Sequence, residues 1–128
     1  KKYGFVFLHC TINADSAVSK LSLGRPWRSH ARTVFVKCSL PSALTAAGWD
    51  NWGNPENEKT AFYAEYRNTG AGAAVKNRVS WSRQLTAQEA ASYTPENIFS
   101  NSNATISTDT SWFKKIRTGP FSWPLGPK

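Results

Sequence analysis

An all-β fold, built either as a stacked-strand solenoid or as a β-sandwich, is what this chain of 128 residues predicts. Two observations lead there. Three short runs are rich in aromatic and β-branched residues: Tyr3 to Ile12, Arg32 to Leu40 and Thr60 to Tyr66. Side chains of this kind suit a pleated, half-buried surface. The first two runs also resemble each other position by position. His9-Cys10-Thr11-Ile12 follows an apolar stretch just as Lys37-Cys38-Ser39-Leu40 does, 28 residues later. That separation is close to the length of one coil in a stacked-strand repeat. The β-sandwich is the alternative, because one pair of similar segments is compatible with two packed sheets.

The elements follow in order. Tyr3 to Ile12 (YGFVFLHCTI) is the first expected strand, and a polar loop closes on the turn Leu23 to Trp27. Arg32 to Leu40 (RTVFVKCSL) is the second strand. Pro41 to Lys59 reads as a long loop carrying Trp49 and Trp52, and a loop of this length is uncommon without a function. Thr60 to Tyr66 is the third strand, and Asn68 to Ala73 is a glycine-rich turn segment. Arg78 to Ser82 reads as a short strand or extended run. A short helix is expected from Thr86, with Glu89 three residues on completing a capping box and Pro95 marking its end. The tail from Asn101 is rich in Asn, Ser, Thr, Pro and Gly, yet its Trp112, Phe113, Phe121 and Trp123 predict an ordered, packed loop. Lys114-Lys115 with Arg117 reads as a solvated charge run.

Composition narrows the function classes. The length allows one domain or part of one, and no apolar run approaches the roughly 18 residues that span a bilayer. No secretory signal opens the chain, and the absence of an initial Met suggests a processed or truncated polypeptide. The net charge is +8 and unevenly spread: residues 1–40 carry seven Lys/Arg against Asp15, a balance of +6. Such a balance favours acidic partners, among them acidic polysaccharide and nucleic acid. No nucleic-acid motif is present, and the charges are not grouped on one element. Cys10 and Cys38 lack zinc spacing, and His9 and His30 do not join them in a ligand cluster, so neither a metal nor another cofactor is expected. The two cysteines are expected one above the other on neighbouring strands, as buried thiols or as one bridge, with free thiols preferred.

The turn Leu23-Gly24-Arg25-Pro26-Trp27 is the densest local signal. Gly24 permits a turn or a close approach, and Pro26 fixes its own φ while pushing Arg25 toward an extended conformation. A guanidinium and an indole are thereby presented two residues apart. The first grips carboxylates in a planar fork, and the second offers a flat apolar face to a sugar ring.

Four blocks in order give these features a family. Tyr3-Gly4-Phe5 through Cys10-Thr11-Ile12, Leu23 to Trp27 with Arg32-Thr33-Val34, Gly48-Trp49-Asp50-Asn51-Trp52, and Glu65 to Ala73 with Arg78-Val79-Ser80-Trp81 resemble the C-terminal part of pectinesterases (pectin methylesterases). The resemblance spans residues 3–99 and leaves 100–128 as a divergent tail. It implies a right-handed parallel β-helix, of which this chain would be the C-terminal coils, with long loops and a short C-terminal helix and tail. It implies a secreted or cell-envelope enzyme that hydrolyses methyl esters of polygalacturonate. Two aspartates, nucleophile and general acid/base, and two oxyanion-stabilising glutamines carry the family's chemistry. They lie upstream of the four blocks, so the chain by itself is expected to be inactive and to need the N-terminal half of the enzyme. Within the resemblance, Arg25 is the catalytic-site residue that pairs with the nucleophilic carboxylate, and Trp27 and Trp49 are the substrate-binding aromatics. Trp52, Tyr66 and Trp81 are expected to be structural, and Glu65 to be a structural carboxylate met by backbone or Arg. The competing reading is a non-catalytic module that binds acidic polysaccharide through the same aromatics.

Overall fold

The computed structural model describes residues 2–100. The expectations for the tail aromatics and for Lys114 to Arg117 lie outside the described residues. The chain divides into one unit, Lys1–Ala91, and a second that begins at Ser92.

Four strands form a single sheet in chain order: β1 (Phe5–Leu8), β2 (Arg32–Val36), β3 (Phe62–Tyr66) and β4 (Arg83–Gln84). Every pairing is parallel. Phe5 lies beside Thr33, and Thr33 beside Tyr63, so the chain returns to the same place after 28 and then 30 residues. Consecutive parallel neighbours require a crossover each time, whereas a sandwich is built on antiparallel pairs. The sheet therefore excludes the sandwich alternative and keeps the stacked coils.

The first two expected strands are each broken in two, the third ends where those break, and the break has a cause. His9, Lys37 and Arg67 take left-handed backbone conformations, with φ of 53°, 51° and 45°. These positions are stacked, one per coil, immediately after the ladder ends. Each turns the chain through a corner. Pairing then resumes at a second, shorter stack in which Thr11, Ser39 and Thr69 bridge in parallel. Non-glycine residues in this region are uncommon because Cβ crowds the backbone, and a tripled occurrence at one level marks a built corner. Immediately beyond it, Cys10, Cys38 and Asn68 form a second row. The Cys38 amide donates to Asn68 Oδ1 at 2.9 Å, and the Cys38 thiol donates to the carbonyl of Phe7 at 3.4 Å. Both cysteines are free thiols, Cys38 fully buried and Cys10 partly so. Burial pushes the Cys38 thiol up to about 11.

The coil interior is filled by Phe35, Cys38, Leu40, Leu44, Trp49, Ala61 and Tyr63, with Phe7 and Trp81 packed against them. Phe7 stacks on Phe35 with centroids 4.4 Å apart, and the aromatic row continues through Trp49 and Tyr63 to Trp81. Rings in register on successive coils stack because the strand spacing of about 4.8 Å is close to their contact distance.

Glu65 is enclosed within this packing and answered by Arg78. Arg78 Nε lies 2.8 Å from Glu65 Oε2 and Nη2 lies 3.1 Å from Oε1, with the side chains 4% and 1% exposed. The remaining guanidinium donors reach the carbonyls of Gly72 and Ala46 at 2.7 and 3.1 Å. Arg78 thereby ties the loop around Ala46 and the turn around Gly72 to β3. The expected structural role of Glu65 is what the fold displays. Gly48 fits closely here: its φ is +73°, and a Cβ would come within 2.5 Å of Arg78 Cδ.

Residues 78–82 form turns, and the strand expected there begins only at Arg83. Arg78 faces inward to Glu65, which takes that stretch out of the ladder. The Thr86–Glu89 capping box forms as expected, its two bonds at 2.7 and 3.2 Å opening α2 (Ala87–Ala91). Inside the long loop, α1 (Pro55–Glu58) starts on the Asn54 cap. In the second unit, α3 (Pro95–Phe99) starts on the Thr94 cap. Among the described residues, no helix is long and apolar enough to cross a membrane.

Candidate functional site

The turn Leu23 to Trp27 is held from below and from one side. Leu23 N donates to the Gly48 carbonyl at 2.7 Å, and Asp50 N donates to that of Gly24 at 3.2 Å. Pro26 is fully buried, and its carbonyl accepts from Asn57 Nδ2 at 2.6 Å. Asn57 belongs to α1 and is itself buried, so this helix serves to anchor the turn. Gly24 is needed for a close approach: a Cβ there would lie 3.3 Å from the Trp49 ring. The approach is made to the protein's own core, and its effect is to seat the turn on an indole.

Above this base the side chains of Arg25 and Trp27 project outward. Trp27 is 76% exposed. Trp52, 50% exposed, lies beside it with ring centroids 6.1 Å apart. The Arg25 guanidinium sits 5.0 Å from the centre of the Trp52 ring. Trp52 is fixed by two Asx turns, its own N–H donating to Asp50 Oδ1 at 2.7 Å and that of Gly53 to Asn51 Oδ1 at 2.8 Å. Its backbone is left-handed, with φ 61°. Asp50 also approaches Arg25 Nε at 3.8 Å, with both side chains about half exposed. An exposed pair at that distance contributes about 0–1 kcal/mol. It leaves the guanidinium free to take a better-placed carboxylate.

Arg25 and Trp27 line a cavity of about 550 Å³ together with Phe5, Arg28, Arg32 and Tyr63. Trp49 is not among its walls. It is 2% exposed, edge-on to Phe35 and tilted against Tyr63 with ring centroids 4.5 Å apart, with a buried indole N–H that has no hydrogen-bond partner among the described residues. The sequence expectation is corrected here: Trp49 has no open face for a sugar, and Trp52, expected to be structural, holds the exposed position next to Trp27. The physical reason is the reversal made by Asp50 and Asn51, which sends tryptophans three residues apart to opposite sides of the loop. The Asx-turn residues between them were the signal available in the sequence. Among the described residues, no three of His, Cys, Asp and Glu gather as they would around a metal ion.

The cluster can do two things chemically. It can grip a carboxylate with Arg25, and it can stack pyranose rings on Trp27 and Trp52.

Comparison with known proteins gives these features relatives. The family model described as Pectinesterase matches residues 1–102. Pectinesterase 31 of Arabidopsis thaliana is 41% identical over 87 residues, covering 68% of this chain and 27% of the relative. Among solved structures, the pectin methylesterase from carrot superposes with a TM-score of 0.76 at 33% identity, over 95% of this chain and 38% of that one. The pectin methylesterase from Erwinia chrysanthemi gives 0.56 at 32% identity, over 77% of this chain and 34% of that one. The chain spans 15–17% of the length of two further curated Arabidopsis thaliana relatives.

Proposed function

Because the chain belongs to the pectinesterase family, we propose that it supplies the last coils of a right-handed parallel β-helix enzyme that hydrolyses the methyl esters of pectin to free carboxylates and methanol. The observation that carries the reading is the Arg25 guanidinium, loosely engaged by Asp50 and placed at a cavity lined by Trp27, with Trp52 beside Trp27. In the family a nucleophilic aspartate attacks the ester carbonyl, and a second carboxyl group protonates the departing methanol and then activates water. Both aspartates would come from coils preceding residue 1. Arg25 would hold the nucleophile ionised and oriented, since an adjacent cation lowers a carboxylate pKa by about 1–3 units. Trp27 and Trp52 would carry galacturonate rings across the cavity. A solved relative, 30% identical, is a pectin methylesterase in complex with a hexasaccharide, which supports an oligosaccharide on this surface. A substrate of the plant cell wall also supports action outside the cell.

The test is methanol release from methyl-esterified pectin by a polypeptide in which these residues follow the upstream coils of the carrot enzyme. The hybrid releases methanol, and Arg25→Ala lowers kcat/KM by about a hundredfold, the scale of losing one preorganised electrostatic contact. The 128-residue chain alone releases none. Full activity in the Arg25→Ala hybrid, or methanol released by the chain alone, overturns the assignment.

A further inference from the structure

We propose that Asn57 and Glu58, consecutive residues of α1, are positioning residues that set the spacing of Trp27 and Trp52, and with it the surface on which a sugar chain stacks. What the cluster binds rests on the pectin reading above. The strut that holds the cluster does not.

The two halves of the cluster come from different arcs. Arg25 and Trp27 lie on the turn before β2, and Trp52 lies on the loop before β3. Both rings are exposed and lie outside the core cluster. Even so, their centroids stand 6.1 Å apart, and the Arg25 guanidinium sits 5.0 Å from the Trp52 ring. A pair of exposed rings is worth too little to order two loops by itself. Something else must hold them.

The helix α1 reaches both halves. Asn57 Nδ2 donates at 2.6 Å to the carbonyl of Pro26, the residue between Arg25 and Trp27. Glu58 Oε1 accepts from Asn51 Nδ2 at 2.8 Å, and Asn51 Oδ1 in turn accepts from Gly53 N at 2.8 Å, so the peptides on either side of Trp52 are tied to it. Consecutive helical residues point about 100° apart, which lets one turn of helix serve two loops. A helix of four residues has no stability of its own. This one is seated on the entry to β3, where the Asn57 carbonyl accepts from Ala61 N at 2.9 Å. Glu58 makes no ion pair among the described residues, so its carboxylate acts as an acceptor for an amide. Neither Asn57 nor Glu58 lines the cavity, and each acts through the backbone that carries the rings.

The test reads the ring pair directly. Two indoles held this close couple their electronic transitions, and far-ultraviolet circular dichroism shows the coupling as two bands of opposite sign. The Trp27–Trp52 couplet is the difference between the wild-type chain and Trp52→Phe. Asn57→Ala and Glu58→Ala each remove most of it. Glu58→Gln keeps the acceptor and retains it. Lys59→Ala removes the neighbouring exposed pair with Glu56 and also retains it. In the hybrid with the carrot coils, Glu58→Ala raises KM for pectin about three- to tenfold with kcat unchanged, the scale of one aromatic contact, and Glu58→Gln restores it. Asn57→Ala lowers kcat about tenfold as well, because the Pro26 peptide also carries Arg25. A wild-type chain without the couplet, a couplet that survives both alanine variants, or a KM unmoved by Glu58→Ala overturns the proposal while the pectin reading stands. A hybrid that releases no methanol, with the couplet responding as expected, sinks the pectin reading and leaves the strut in place.

Discussion

Replacing Arg78 by Met isolates the largest single electrostatic commitment in the fold. The substitution keeps most of the side-chain volume but removes both bonds to Glu65 and those to Gly72 and Ala46. Glu65 is 1% exposed, and no other cation pairs with it among the described residues. A carboxylate stranded in this way costs about 3–5 kcal/mol. Against a total stability of about 5–15 kcal/mol for a domain of this size, that is a large share. With about 4–8 °C lost per kcal/mol, the midpoint falls by more than 10 °C. The assay is urea and thermal unfolding followed by circular dichroism, run as a cycle with Glu65→Met and the double variant. Removing both partners eliminates the stranded charge, so the double variant recovers much of the loss. A cost under about 1 kcal/mol for Arg78→Met, or a double variant no better than the sum of the singles, would refute the reasoning.

Gly48→Ala is expected to cost about 2 kcal/mol or more, combining a left-handed backbone with a methyl 2.5 Å from Arg78 Cδ; unfolding midpoints check it. Should the change prove neutral, Arg78 has room the packing does not display. The Cys38 thiol, pushed up to about 11 by burial, is expected to stay unmodified by iodoacetamide at pH 8, while Cys10, which is less buried, is alkylated. Its protonated form is favoured on folding. The stability associated with it is therefore complete below the ordinary thiol value of about 9 and is lost as pH rises toward about 11, which unfolding between pH 8 and 11 measures.

The strand runs were legible because β-branched and aromatic side chains cluster where the ladder forms, and the 28-residue likeness of the two cysteine segments is the coil repeat itself. The corners were not. Left-handed His9, Lys37 and Arg67 have no glycine to announce them, since the stacking of neighbouring coils dictates their conformation. The short helices had a signal, Asn54-Pro55 and Thr94-Pro95, each a capping residue ahead of proline at the first helical position. Of the candidate site, Arg25 and Trp27 stand out because the turn residues around them constrain the backbone so strongly. Trp49 and Trp52 are chemically identical in sequence, and only the reversal between them decides which is core and which is surface.

The row of left-handed corners makes the molecule tolerant of some insertions and intolerant of others. From each ladder strand to its corner the count is fixed: Leu8, Val36 and Tyr66 each stand one residue before the bend. The arcs between coils are not fixed, and they already differ by two residues between one pair and the next. Length can therefore vary where an arc is exposed, as over residues 15–20, and not where the Leu23–Trp27 turn and Trp49 pack into the core. The corners hold the count of the stack, and the exposed parts of the arcs are where it can be rewritten.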